Sequence, residues 1–311
     1  MIFNIILISL TSFSISFLLI KNLKPFFLKY IVDTPNERSS HLHQIPRGLG
    51  LIFSLISTIF IYFLGFPQII FCIPLSICGF LDDIFYLPAF SKYIVQLIVA
   101  YLLFFNSPLE FFISNYLGAG FYYISLFFVF ISFTAIVNAI NFMDGLDGLI
   151  SGSFIFISLG CLLILDLPLY PLTFSLIAFI LFNWHPAKVF MGDSGSLFLG
   201  GFYGLSIFQC DQLEKLVAIL LIGSPLWLDS FICIIRRFFN GDNIFIAHNK
   251  HLYQRLYQAG WKHSDVSSLY IIFIIFQIIG YLLNGIPAQI VIFFLIFIMG
   301  ALLEKFSAKV F

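Results

Sequence analysis

The sequence predicts an all-α integral membrane protein with about eleven transmembrane helices, an external N-terminus and a cytoplasmic C-terminus. Three observations lead to this fold class: the composition is very apolar, apolar runs alternate with short polar connections, and basic residues cluster on one side of that alternation. Of the 311 residues, 61% are hydrophobic and 10% are charged, and the mean hydropathy is +1.06. A soluble domain carries about 25% charged residues, so lipid must be the solvent for much of this chain.

The apolar runs give the elements in order. We expect helices throughout, because lipid satisfies no backbone polar group and the strict alternation of a barrel is missing. The first run lacks a basic leader and a small-residue cleavage site, which predicts a retained helix. The third and fourth runs are short for a hydrocarbon core of about 30 Å, so we expect them to tilt or to extend into their flanks. The predicted spans are residues 2–20, 48–66, 68–81, 92–106, 119–137, 149–166, 168–184, 195–210, 213–235, 266–284 and 286–304.

Charge orients these helices. With eleven spans, the odd-numbered connections and the C-terminal tail share one side, which holds 14 of the 15 Lys and Arg residues; Lys215 lies on the other side. The positive-inside rule places the basic side in the cytoplasm. An error of one span would scatter these residues over both faces, so the charge distribution supports the count. No repeat or linker divides the chain, which predicts a single domain over residues 1–311.

The remaining composition excludes other classes. Net charge is zero, so there is no basic excess for nucleic-acid binding. The five cysteines lie in apolar runs without paired spacing, which is typical of small buried hydrophobic residues rather than of disulfides or metal ligands.

Four polar clusters from distant parts of the chain fall in the predicted cytoplasmic connections, where ionisable residues at a membrane indicate function. The first is Asp82 and Asp83 at the end of a short apolar helix. Adjacent carboxylates repel each other, which raises the pKa of one or attracts a divalent cation. The alternative is an ordinary solvated helix end.

The second cluster contains Asn138, Asn141, Asp144 and Asp147, with a glycine after each aspartate. If this segment begins a helix, the spacing of three puts both aspartates on one face. The glycines permit the close backbone approach that a phosphate site needs. The alternative is a plain turn between helices, where Asn, Asp and Gly are common.

The third cluster places Asp193 among small residues ahead of an apolar helix, and the fourth contains His248, His251 and Arg255. A carboxylate that leaves room for water and phosphate suits Mg²⁺, although an acid at a helix N-terminus also has a purely structural role. The His and Arg residues suggest a cationic cradle for phosphate or sugar, or else a solvated loop. Zinc is disfavoured, because no Cys or third nearby His completes a ligand set.

Carboxylates, a metal site and cationic groups at a membrane fit phosphoryl transfer to or from a lipid. A secondary transporter is the main competitor from another class. Transporters place coupling acids near the bilayer midplane and often show repeats, whereas these acids lie at one face and no repeat is found. A non-catalytic scaffold would not need the acidic set.

These residues resemble the polyprenyl-phosphate N-acetylhexosamine-1-phosphate transferases (glycosyltransferase family 4), which also include the phospho-N-acetylmuramoyl-pentapeptide transferases. The likeness covers nearly the whole chain. It rests on residues 35–41 with 46–50, on Asp82 and Asp83 with Leu87 and Lys92, on residues 141–149 and on residues 186–197. The family's ten or eleven helices and cytoplasmic site agree with the topology predicted from charge.

The resemblance implies that a UDP-sugar and undecaprenyl phosphate react, with Mg²⁺ or Mn²⁺, to give a sugar-diphospho-undecaprenol and UMP. It assigns Asp193 to the metal, and it assigns Asp82 and Asp83 to the lipid phosphate without deciding which one acts. Further positions match residues that bind the nucleotide sugar, with Phe190 stacking on the uracil. These positions are Asn141, Asp144, Asp147, Asn183, Phe190, His248, His251 and Arg255.

The last predicted cytoplasmic connection indicates which branch of the family the chain resembles. Residues 251–260 look like those of O-antigen and capsule initiators, including enzymes that use 6-deoxy-N-acetylhexosamines, and the run of consecutive His of the muramoyl-pentapeptide enzymes is missing. A UDP-GlcNAc-specific initiator is the alternative within the family. The resemblance implies a multi-pass protein of the bacterial inner membrane that contacts membrane lipid, and it leaves the oligomeric state open, a homodimer included.

Overall fold

A computed structural model of the chain describes residues 2–35, 43–116, 119–243 and 248–310, and over these residues it is almost wholly helical. The segment 36–41, part of the first motif quoted above, lies outside the described residues. The α-helices are α1 Ile2–Tyr30, α2 Gly50–Phe63, α3 Ile73–Phe85, α4 Ala89–Phe104, α5 Pro108–Tyr116, α6 Ala119–Phe142, α7 Leu149–Leu165, α8 Tyr170–Asn183, α9 Gly192–Phe208, α10 Leu213–Ile222, α11 Ser224–Phe239, α12 Leu252–Gln258 and α13 His263–Phe306.

Two short elements complete the chain. A 3₁₀ helix, Pro67–Cys72, leads directly into α3. Strands β1 Val32–Asp33 and β2 Ile45–Pro46 form an antiparallel ribbon that pairs Val32 with Pro46 and Asp33 with Ile45. The ribbon was not predicted, because each strand has only two residues and shows no alternation.

The helices identify a multi-pass membrane protein. Within the described residues, four helical segments are long and apolar enough to cross a membrane, and six are if each of two bent pairs counts as one span. Helices α2, α7 and α8 are apolar but shorter. A helix occupies every predicted span, whereas the count of eleven crossings and the orientation stay predictions.

Helix α9 lies at the centre of the bundle and packs against α3 and α6. All of its residues from Ser194 to Phe208 are buried. Small residues make this possible: a Cβ on Gly200 would press against the backbone of Val137 in α6, and one on Gly204 would overlap the Phe133 ring. Close approach through small residues is the usual way in which membrane helices pack.

Two breaks modify the predicted spans. The span predicted over residues 213–235 is not one straight helix, because the chain bends by 72° between α10 and α11 at Gly223. Pro225 in the first turn of α11 favours a new helix start at this place. Helix α13 is continuous except at Asn284 and Gly285, whose backbone is not helical. This second break falls at the boundary predicted between the last two spans.

Candidate active site

The acidic cluster exists because α3 and the N-terminus of α9 approach each other closely. Gly79 of α3 lies so near that a Cβ there would overlap the Asp193 carbonyl group. Gly192 adopts φ +69° directly against the Asp83 carboxylate, and a side chain at this position would collide with it. Glycine is required at Gly192 for both reasons, since other residues rarely adopt this φ.

Asp83 is buried at the N-terminus of α9. Its carboxylate accepts hydrogen bonds from the backbone N–H groups of Asp193 at 3.1 Å and Ser194 at 3.4 Å. Such groups and the helix dipole stabilise a negative charge. Arg47 adds a cation, with Nε 3.8 Å from Asp83 Oδ1 and Nη2 donating to the Asp83 carbonyl at 2.5 Å. The contacts hold Asp83 firmly, and Arg47 in turn covers the Tyr86 ring at 5.1 Å.

Asp82 and Asp193 share one ammonium group. Lys92 Nζ lies 2.8 Å from Asp82 Oδ2 and 3.1 Å from Asp193 Oδ2, so it bridges helices α3, α4 and α9. The other Asp82 oxygen accepts from the Leu87 N–H group at 2.6 Å. Two carboxylates that converge on a bound cation form a place suited to a hard divalent ion. The residues therefore fit Mg²⁺ or Mn²⁺, and Asp82 and Asp193 are the carboxylates that could hold the ion.

Asp144 faces the same cluster from the segment between α6 and α7. Burial raises the pKa of Asp144 to about 8, and the negative charges of Asp193 and Asp83 add to the rise. Its neighbour Asn141, at the end of α6, accepts a hydrogen bond from Ser196 Oγ of α9 at 2.5 Å. Asp82, Asp83, Asn141, Asp144 and Asp193 thus come together, as the sequence predicts.

Asp147 belongs to a different group. The condition under which Asp144 and Asp147 would share a helix face is not met, because α7 begins only at Leu149. Asp147 Oδ2 instead lies 2.7 Å from His185 Nδ1 and 3.4 Å from His263 Nδ1, and accepts from the Ala187 N–H group at 3.1 Å. Burial tends to raise the pKa of Asp147, but the hydrogen bonds with His263 and His185 outweigh it and hold this pKa below its ordinary value.

Asn183 ties the segment that bears Asp147 to the rest of the bundle. Its Oδ1 accepts from Ser151 Oγ at 2.6 Å and from the Gly148 N–H group at 3.3 Å, while its Nδ2 donates to the Val189 carbonyl at 3.0 Å. Asn183 is buried, and these contacts use both ends of its amide. They fix the two segments that carry Asp147 and Phe190 relative to each other.

A cavity of about 620 Å³ opens beside this group. His185 and Asp147 line it, and the half-buried Phe190 is anchored nearby by a 2.8 Å bond from its N–H group to the Pro46 carbonyl of β2. The other lysines and histidines in the lining are Lys24, His43, Lys188, Lys262 and His263. A cavity with a fixed carboxylate and several cations suits a ligand that carries both a hydrogen-bond donor and phosphate.

The last connection packs onto the segment that carries Asp144. Tyr253 of α12 donates to the Phe142 carbonyl at 2.9 Å, and its hydroxyl fills the space over Gly145. His248 and His251 stack with their ring centroids 5.0 Å apart. Burial lowers the pKa of His248 to about 4, and His251, Arg237 and Lys250 act in the same direction. At neutral pH His248 is therefore not a cation, and the cationic cradle stays a prediction that depends on the other basic residues of the loop.

Arg255 has partners that the sequence did not indicate. Its guanidinium pairs with Glu304 of α13, and its Nε donates to the Lys309 carbonyl at 2.7 Å. Arg236 pairs with the same Glu304 carboxylate. Arg255 thereby fastens α12 to the C-terminal segment, and a contact between Arg255 and substrate stays a prediction.

The zinc argument also needs correction, because Cys233 of α11 does accompany the last loop. Potential ligand atoms of Cys233, His248 and His251 lie within 4.8 Å of one another, as do those of Asp147, His185 and His263. The positive charges of Arg237 and Lys250 interact electrostatically with His248. Those of Arg236, Arg237 and Arg255 interact in the same way with Cys233. These positive charges favour an anion over a metal ion around this loop. The described cysteines are buried free thiols, as expected.

Sequence reasoning missed several residues of the site. Lys92 and Arg47 were counted only for topology or as part of a motif, and their partners lie up to 101 residues away along the chain. His263 gave no signal, because a histidine in a polar connection is unremarkable. Asp229 did give a sequence signal, since it is an acid inside the apolar span predicted over residues 213–235.

Comparisons with known proteins show the family to which the chain belongs. A family model described as "Glycosyl transferase family 4" matches residues 63–210. The "Probable undecaprenyl-phosphate N-acetylglucosaminyl 1-phosphate transferase" of Bacillus subtilis (strain 168) is 32% identical in an alignment that covers 88% of this chain and 84% of that protein.

Two further relatives extend the comparison. The "Undecaprenyl-phosphate alpha-N-acetylglucosaminyl 1-phosphate transferase" of Thermotoga maritima is 33% identical over 86% of this chain and 87% of that protein. The "Phospho-N-acetylmuramoyl-pentapeptide-transferase" of Dictyoglomus turgidum is 32% identical over 79% of this chain and 86% of that protein. With such identity over most of both chains, and with its acidic cluster on a membrane bundle, the chain belongs to glycosyl transferase family 4 and is a membrane transferase.

Proposed function

We propose that the chain transfers a sugar 1-phosphate from a UDP-sugar to undecaprenyl phosphate and releases UMP. The observation that carries this proposal is the cluster of Asp82, Asp83, Asp144 and Asp193 at the ends of membrane helices, in which Lys92 bridges Asp82 and Asp193 and Arg47 pairs with Asp83. Phosphoryl transfer depends mainly on positioning and on charge neutralisation, and this cluster offers both. Four of the relatives carry undecaprenyl or decaprenyl phosphate in their names.

In the reaction, a phosphate oxygen of the lipid attacks the β-phosphorus of the UDP-sugar. The new P–O bond forms as the bond from that phosphorus to the bridging oxygen breaks, and UMP leaves with the electron pair. Mg²⁺, held by Asp193, would neutralise charge on the pyrophosphate. Asp83, fixed by Arg47 and the α9 N-terminus, and Asp82, paired with Lys92, are the groups placed to orient the lipid phosphate.

The nucleotide fits the cavity beside Asp147. The uracil would contact the Asp147 carboxylate, and the lining lysines would meet the phosphates. We expect stacking on the uracil from Phe190, which is bonded to Pro46 in the cavity wall. Asn183 acts indirectly in this arrangement, by holding the segments of Asp147 and Phe190 together. His248 and His251, on the loop that packs against residues 142–145, would contact the sugar and the pyrophosphate.

The lipid tail has an apolar cavity available. A cavity of about 680 Å³ lies between α6, α9, α10 and α11, and it includes Ala135 and Ile136, one turn from Asn138. Apolar side chains make up nearly all of its lining. A polyprenyl chain bound there would keep its phosphate near the end of α6, where Asn141 and Asp144 lie.

The proposed sugar is an N-acetylhexosamine or a 6-deoxy-N-acetylhexosamine, as in initiators of O-antigen or capsule synthesis. The sequence of the last connection supports this branch, and the names of the Bacillus and Thermotoga relatives favour N-acetylglucosamine as the second candidate. The relatives named as muramoyl-pentapeptide transferases carry less weight, because this chain lacks the run of consecutive His in that loop. We place the site at the cytoplasmic face of the inner membrane, with eleven spans, on the strength of the charge distribution.

The test uses the purified full-length chain, undecaprenyl phosphate, Mg²⁺ and a panel of UDP-sugars, with mass analysis of the lipid. We expect one or a few sugars to yield a sugar-diphospho-lipid together with UMP. Asp193→Asn should lower turnover at least about 100-fold while the protein still inserts, because a charge that stabilises the transition state is lost. The matched control is Asp211→Asn, which removes an exposed carboxylate paired with Lys215. Near-normal turnover of Asp193→Asn would remove the metal assignment.

A further inference from the structure

Asp229 is a buried carboxylate to which the proposed reaction gives no role. It lies on α11, five residues after its first residue, and is 8% exposed. Burial of a charge is costly unless hydrogen bonds compensate it. Here they do: Asp229 accepts from the Leu252 N–H group at 2.8 Å, from the Tyr253 N–H group at 3.2 Å and from the Tyr270 hydroxyl at 2.6 Å. One carboxylate therefore joins α11, the start of α12 and α13.

The same carboxylate faces the His251 ring. His251 is 3% exposed, and its Nδ1 lies 3.7 Å from Asp229 Oδ1. Among the described residues, this Nδ1 has no closer hydrogen-bonding partner. Because a carboxylate accepts hydrogen bonds and does not donate them, the arrangement favours the ring form with the proton on Nδ1. The other nitrogen, Nε2, is then an acceptor until it binds a proton.

His251 is held from both sides at the edge of the acidic site. Its ring lies 6.2 Å from the Phe142 ring and 5.7 Å from the Tyr253 ring, measured between centroids. Tyr253 in turn bonds to the Phe142 carbonyl, two residues before Asp144. Any shift of Asp229 would therefore move both the His251 ring and the start of α12 relative to Asp144.

We propose that Asp229 is a positioning residue for the transfer: it fixes the proton of His251 on Nδ1, and so presents Nε2 to the nucleotide sugar. The inference rests on the proposed function only in giving His251 a substrate to contact. The position of the proton is a property of the protein alone, and it can be measured without any reaction.

Nitrogen NMR of the purified full-length protein, labelled at histidine, tests whether the proton of His251 lies on Nδ1. The His251 signal, assigned by its loss in His251→Ala, should show the proton on Nδ1 in the unsubstituted protein. In Asp229→Asn this preference should weaken or reverse, since the negative partner is gone. A proton on Nε2 in the unsubstituted protein overturns the proposal, whether or not Asp229→Asn folds.

A double-mutant cycle tests whether Asp229 affects the transfer through His251. Asp229→Asn should lower kcat/KM by about 10- to 100-fold, as is typical when a carboxylate that orients a functional histidine is removed. In the His251→Ala background the same change should cost no more than about twofold, because its effect passes through His251. Tyr270→Phe, which removes one donor and keeps the charge, is the matched control and should lose less than about threefold.

Two results would contradict the proposal: full activity of Asp229→Asn, or losses that multiply independently of His251, which would show a merely structural role. Absence of turnover by the unsubstituted protein with every UDP-sugar would count against the proposed function instead. The NMR result would still decide the placement of the His251 proton in that case.

Discussion

Lys92 is the residue on which the acidic cluster depends most. Without its ammonium group, Asp82 and Asp193 would face each other without a cation between them. We expect Lys92→Met to lower turnover at least about tenfold at saturating Mg²⁺, because a positive charge near the reacting phosphates is lost. Lys92→Arg should retain more activity than Lys92→Met, since it keeps the charge.

The matched control for Lys92 is Lys215→Met, which breaks an exposed i,i+4 pair with Asp211. Surface pairs contribute about 0–1 kcal/mol, so this variant should behave like the unsubstituted protein. Steady-state kinetics of the three lysine variants provide the measurement. Equal activity of Lys92→Met and Lys215→Met would show that the Lys92 bridge has no part in the reaction.

The raised pKa of Asp144 predicts how the stability of the protein changes with pH. Its pKa rises from 3.8 to about 8 because the folded site buries it near Asp193 and Asp83. The folded protein thus holds this proton more tightly than the unfolded chain, so stability is highest below the unfolded pKa and falls as pH rises toward about 8. Asp144→Asn carries no such charge, and its melting temperature should exceed that of the unsubstituted protein by a margin that grows from pH 5 to pH 8.

Thermal unfolding in Mg²⁺-free detergent solution, at a series of pH values, measures this margin. Asp211→Asn serves again as the control, because its carboxylate is exposed and should give a constant difference. A margin that is flat or that shrinks with rising pH would show that Asp144 is ionised without cost in the folded site.

The side chains of the site were predictable in part. The motif residues Asp82, Asp83, Asp144 and Asp193 were expected to converge, because their connections share one face, and the structure brings them together. Their partners were not predictable, since Lys92–Asp193 and Asp147–His263 are pairs made by the fold between distant segments. Hydrophobic periodicity says where a helix lies and not how it is rotated against its neighbour.

At the scale of the elements, the contact of α3 with α9 determines the geometry of the cluster. Gly79→Ala would force the two helices apart at Asp193. We expect a loss of about 1–3 kcal/mol in stability, typical of overpacking, together with lower turnover. Gly300→Ala in α13 is the matched control: its nearest neighbour is a Leu252 methyl group at 3.9 Å, so it should be neutral or slightly stabilising.

Chemical denaturation and turnover of these two glycine variants provide the measurement. An unchanged Gly79→Ala enzyme would mean that α3 and α9 are not packed as described. Sequence reasoning placed a helix at each apolar run, but it missed the bend at Gly223, because the apolar character of residues 213–235 continues through it.

For the whole molecule, the distribution of basic residues predicts which loops face the cytoplasm. In intact cells, an impermeant thiol reagent should label Glu214→Cys, in the first turn of α10, and should not label Asn249→Cys before lysis. The native cysteines are buried, so background labelling should be low. The opposite labelling pattern would reverse the orientation and place the acidic cluster outside.

The whole-molecule prediction from sequence was the most successful, because hydropathy and charge act on the chain as a whole and need no knowledge of individual contacts. Membrane insertion and helical class follow from composition, and family membership follows from the motifs. The number of crossings is harder to predict, since bent pairs such as α10 and α11 do not behave as simple spans.

The central claim is that a sugar 1-phosphate, and not a bare sugar, passes to the lipid. The most direct measurement follows a radioactive β-phosphate in UDP-N-acetylglucosamine and in a 6-deoxy UDP-N-acetylhexosamine, incubated with the purified protein, Mg²⁺ and undecaprenyl phosphate. We predict that the label moves into the lipid fraction and that UMP appears in equal amount. Label left in released UDP while the sugar joins the lipid would contradict the account, as would the absence of any lipid product.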